Sequence, residues 1–95
     1  MKANLEQIKK KAVPILKEAG VTRSSIFGSH VRGENRKNSD VDILVQLPKG
    51  TGLFAFVRLR RNLENVLDKK VDLLTYNSIH PRLLDRILKE QLPIL

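Results

Sequence analysis

A chain of 95 residues holds one compact domain, taken here over residues 1–95, and a core thin enough that any substrate site is an open cleft. With 41% hydrophobic and 29% charged residues it should fold, and the lack of cysteine excludes disulfides, thiolate metal sites and thiol nucleophiles, which fits a reducing compartment, by default the cytoplasm. Eighteen basic against ten acidic residues give a net charge of +8, a field that favours polyanions or phosphorylated small molecules, and no apolar run nears the roughly 20 residues of a membrane span.

Leu5, Ile8, Ala12, Ile15, Leu16 and Ala19 recur at helical spacing and predict a helix over 4–19, with Asn4 and Gln7 as a capping pair and Gly20 as its stop. Pro14 removes one backbone donor inside it, so a kink or two shorter pieces is expected. Residues 22–27 read as a short strand that runs into a turn at Gly28-Ser29, with a short helical turn to follow. A polar stretch over 33–39 leads to a second strand over 40–47, which Pro48, Lys49 and Gly50 end. Thr51 is placed to cap a helix that ends near Asp68, and residues 70–75 form a third strand. Ser78 as a cap and Pro81 in the first turn open a last helix with Leu83, Leu84, Ile87 and Leu88 on one stripe. Residues 92–95 offer a short edge strand despite Pro93. The fold class is α/β (α+β): a small mixed β-sheet with helices packed on one face.

Chemistry concentrates on the second strand. Asp40 and Asp42 are two residues apart, so both carboxylates point to one face, roughly 7 Å apart, while Val41, Ile43 and Val45 point to the other. Such a pair is tolerated at a solvated surface or where a divalent cation neutralises it. Asp72, between Val71 and Leu73, repeats the apolar-Asp-apolar context of Asp42. If the second and third strands are neighbours, three carboxylates converge, an arrangement of hard oxygen ligands suited to Mg²⁺ or Mn²⁺. Two such ions can hold a triphosphate and stabilise the leaving pyrophosphate, so the implied chemistry is nucleotidyl transfer. Gly28-Ser29 supplies a cradle for the triphosphate, since glycine lets the backbone approach a phosphate and the serine hydroxyl donates to it. Arg32 is placed to contact the phosphates or to pair with the acidic cluster.

At these residues the chain resembles the minimal nucleotidyltransferases of the DNA polymerase β superfamily. Their signature is Gly-Ser, ten residues, Asp-x-Asp and a third carboxylate on a later strand, and here Gly28-Ser29, residues 30–39, Asp40-Val41-Asp42 and Asp72 repeat it. Arg32-Gly33 and Ser39 also match what members commonly carry. The resemblance implies Asp40 and Asp42 as ligands bridging two Mg²⁺ ions, Asp72 as third ligand and base, and Gly28, Ser29, Arg32 and Ser39 as nucleotide-binding residues. It further implies an antitoxin that transfers AMP from ATP to a tyrosine of a cognate HEPN-domain toxin.

Each feature also has a plainer reading. The acidic strand face can be a solvated surface, Asp72 an edge-strand charge against aggregation, and Gly28-Ser29 a turn with a helix cap. Ser39 can cap the turn before its strand, and His80 suits a turn before Pro81. Tyr76, the only tyrosine, follows the third strand, where its ring could stack on adenine. Arg58, Arg60, Arg61, Lys69 and Lys70 read as a solvated surface or a docking face for an acidic partner. Two further functions compete with catalysis. One is a non-catalytic antitoxin that neutralises its toxin by complex formation. The other is a small basic nucleic-acid-binding protein, disfavoured as the primary role by the scarcity of aromatic residues and of any concentrated basic stripe. Apolar helix surface left uncovered would signal a homo-oligomer.

Overall fold

Helix α1 (Leu5–Glu18) forms on the buried stripe of Ile8, Ala12 and Leu16, one residue per turn. The computed structural model describes residues 5–28, 31 and 40–95. Pro14 lies inside α1 without dividing it. The residue is on the exposed side, so its missing donor falls away from the core, and the expected two shorter pieces form one element. Gly20 ends the helix at φ +80, with its amide donating to the Lys17 carbonyl at 3.0 Å and the Val21 amide to that of Leu16 at 3.0 Å. This is a Schellman motif, and its apolar contact is the buried pair Leu16 and Val21.

Strands β1 (Arg23–Phe27), β2 (Val41–Gln46), β3 (Val71–Thr75) and β4 (Leu92–Pro93) form one sheet in the order β3-β2-β1-β4. β1 runs antiparallel to β2 and β4, whereas β2 and β3 are parallel. A parallel pair needs a crossover, which α2 (Leu53–Leu67) provides. Glu64 of α2 fixes the return, since its Oε2 accepts from the Val71 amide at 3.0 Å where β3 begins. The terminal strand holds despite Pro93, because residues after the proline make the bonds: the Ile94 amide donates to the Ser24 carbonyl at 2.9 Å and the Ser24 amide to the Leu95 carbonyl at 3.0 Å.

Residues in register share a face, so Ile26, Ile43 and Leu73 point to one side with Val41, Val45 and Val71. Ile8, Ala12 and Leu16 of α1 and Leu59, Leu63 and Leu67 of α2 pack on that side to form the core. The last helix, α3 (Pro81–Glu90), differs: none of its residues is buried, and Leu83 is 52% exposed. The helix layer on the sheet is therefore made by α1 and α2.

Two expected caps are replaced by neighbours. Gly52, not Thr51, precedes α2 as its cap, and the Thr51 hydroxyl instead donates to the Pro48 carbonyl at 2.7 Å, closing the turn after β2. Ser78 belongs to a 3-10 turn (Tyr76–Ser78) and donates to the Thr75 carbonyl at 2.9 Å. His80 caps α3, its Nδ1 accepting from the Arg82 amide at 3.3 Å. The expected partner of Gln7, Asn4, lies outside the described residues, and of the helical turn expected after Gly28-Ser29 only Val31 is described, which is helical.

Candidate active site

The side of the sheet away from α1 and α2 carries the acidic residues. Asp42 stands in register with Phe27 on one side and with Asp72 on the other, so the two carboxylates project from neighbouring parallel strands on one face. Asp42 is half-buried and Asp72 exposed. Asp40 lies one residue before β2 and is exposed, and the next residue, Val41, donates its amide to the Lys70 carbonyl at 2.9 Å. The expectation that the second and third strands are neighbours is met.

Gly28 completes the corner. It follows β1 at φ +81, a conformation that side chains disfavour, and the Val31 amide donates to its carbonyl at 3.2 Å. A Cβ on Gly28 would overlap Oδ2 of Asp42 and lie 3.0 Å from its Cγ. The glycine therefore has a direct steric reason: it lets the chain turn against the Asp42 carboxylate. Ser29, Arg32 and Ser39 lie outside the described residues.

Carboxylates in register beside a glycine-lined corner are a donor set suited to a hard divalent cation, which prefers oxygen ligands. Among the described residues, no group of three acidic or imidazole side chains comes together around one point. Asp42 and Asp72 are in register on neighbouring strands and Asp40 sits ahead of the paired ladder, so the expected convergence of three carboxylates is not seen among the described residues.

Further along the same face stands a group that sequence reasoning left undecided or missed. The Tyr76 and Ser25 hydroxyls share a hydrogen bond of 3.0 Å, and the Arg23 guanidinium lies 4.6 Å from the centre of the Tyr76 ring. Leu44, in register with Ser25 on this face, is fully buried yet outside the core under the helices. Alternation backward from Phe27 was the available signal for Ser25 and Arg23, because strand residues two apart share a face.

Comparisons with known proteins agree with this geometry. The family described as Nucleotidyltransferase domain matches residues 8–94. A Methanocaldococcus jannaschii protein named as a protein adenylyltransferase is 54% identical over 92 residues, which is 97% of this chain and 99% of the relative. A solved minimal nucleotidyltransferase superposes with a TM-score of 0.83 at 34% identity, covering 94% of this chain and 91% of that one. A toxin–antitoxin structure with AMP-PNP gives a TM-score of 0.80 at 25% identity, covering 92% and 72%. A complex of tri-AMPylated Shewanella oneidensis HEPN toxin with an MNT antitoxin shares the fold, with a TM-score of 0.73 at 21% identity over 95% and 71% of the chains. No described helix is long and apolar enough to cross a membrane. The turn at Gly28, the Asp42 carboxylate it abuts and these relatives converge on one assignment: the chain belongs to the nucleotidyltransferase domain family, and within it to the minimal nucleotidyltransferases named as protein adenylyltransferases.

Proposed function

We propose that this enzyme is a Mg²⁺-dependent antitoxin that transfers AMP from ATP to a tyrosine hydroxyl of a cognate HEPN toxin. The observation that carries the reading is the approach of Gly28 to Asp42, with Asp72 in register on the next strand. Relatives named as adenylyltransferases and neighbours solved as toxin–antitoxin complexes support the substrate and partner. Asp40, Asp42 and Asp72 would hold the two Mg²⁺ ions, which when bound neutralise the triphosphate and the leaving pyrophosphate. Gly28 opens the space in which a phosphate meets the backbone, and Ser29, Arg32 and Ser39 are proposed as its further contacts. In the transfer, the tyrosine oxygen bonds to the α-phosphorus, the bond to the β-phosphate breaks and pyrophosphate leaves. Asp72, the more exposed member of the in-register pair, receives the phenolic proton.

Transfer of label from α-labelled ATP to the toxin, with and without chelator, tests the reading. Asp42→Asn is expected to remain folded and to lower transfer by about a hundredfold or more, a cost typical of losing one electrostatic group at a reacting phosphoryl centre. Chelation should abolish transfer in the wild type. Wild-type rates in Asp42→Asn would overturn the assigned site. A toxin neutralised equally by both versions, without label transfer, would show that complex formation is the function.

A further inference from the structure

We infer that Arg23, held against the Tyr76 ring, is the stacking platform for the nucleobase of the bound nucleotide. The inference rests on the nucleotidyltransferase reading and extends it to a part of the site that the phosphate chemistry leaves unassigned. With the triphosphate at the Gly28–Asp42 corner, the base of the same molecule lies beyond that corner and needs a flat partner of its own. Of the chain's four aromatic residues, Phe54 and Phe56 belong to α2, in the helix layer, which leaves Phe27 and Tyr76 on the site side. Phe27 is in register with Asp42 and sits at the phosphate end.

Tyr76 is placed differently. Its hydroxyl reaches Ser25, two residues before Phe27 and so about 7 Å from the acidic row along the strand. Arg23 is about 13 Å from that row by the same spacing, so the pair occupies the stretch of face just beyond the phosphate end. Ser25 is fully buried, which ties the Tyr76 ring to the sheet, and Arg23 is exposed. A guanidinium held on an aromatic ring keeps its planar, weakly hydrated outer face for a second flat partner. A purine base fits that demand, since stacking needs only a π-face, and base–aromatic contacts with an arginine contribution recur in nucleic-acid sites.

The test compares two ligands on the full-length protein with Mg²⁺: ATP, and inorganic tripolyphosphate, which has the phosphates without the base. Arg23→Ala should weaken ATP by about tenfold, the loss of one stacking contact, and leave tripolyphosphate binding unchanged, which also shows that the variant is folded. Arg23→Lys, which keeps the charge and loses the plane, should behave like Arg23→Ala. Unchanged ATP affinity in Arg23→Ala overturns the inference, including the case where only transfer to the protein acceptor suffers and the platform serves that acceptor instead. Rescue by Arg23→Lys, or equal weakening of both ligands, also overturns it by assigning Arg23 to the phosphates. A wild-type protein that binds neither ligand defeats the nucleotidyltransferase reading itself.

Discussion

Gly28 concentrates the constraints of the site in one residue. Its positive φ and the closeness of Asp42 make any side chain unwelcome, so Gly28→Ala should cost about 1–3 kcal/mol of stability in a urea melt. Transfer activity should fall further than stability explains, because the Asp42 carboxylate must shift to admit the methyl group. Gly20 provides the control: it also has positive φ, but a Cβ there would meet only the side chain of Pro48, 3.1 Å away, far from the acidic face. Gly20→Ala should lower stability by about 1 kcal/mol and leave specific activity intact. At this scale the sequence was informative where two independent cues met. Asp42 and Asp72 could be paired because alternation fixed their faces and apolar neighbours marked both as strand residues. Ser25, Arg23 and Tyr76 could not be joined from sequence, because their contact runs across β2 and needs the register of three strands.

Elements were legible to the extent that hydrophobic period alone set them. The stripes of α1 and α2 follow directly from buried positions every fourth residue, and β2 and β3 from alternation, to which β2 adds Leu44, buried on the opposite face. Caps were less legible, since Thr51 and Ser78 each had a nearby carbonyl to satisfy and left capping to Gly52 and His80. α3 forms with its expected apolar stripe, yet the sheet face under α1 and α2 is already filled and α3 keeps its residues half-buried or exposed. These differences predict unequal sensitivity. Leu63→Ala in α2 removes a fully buried side chain and should cost about 2–5 kcal/mol by chemical denaturation. Leu83→Ala in α3, at a half-exposed position, should cost less than about 1 kcal/mol.

The whole molecule pairs a net charge of +8 with a local acidic face, and these two fields separate its binding modes. A polynucleotide held by scattered basic residues releases counterions, so its affinity should fall by orders of magnitude between low and physiological salt. MgATP bound at a built site should lose less than about tenfold over the same range, a contrast that titrations at several salt concentrations can read. The general basic charge was plain from composition, but composition could not show that the carboxylates gather on the sheet face away from α1 and α2. That placement follows from the parallel β2–β3 pair.

Intact-mass analysis of the cognate toxin after incubation with this protein and MgATP tests the central claim most directly, with Asp42→Asn in parallel. The account predicts adenylyl additions that fragment mapping places on tyrosine and that disappear with the variant. A toxin silenced by the wild-type protein but unchanged in mass would contradict it.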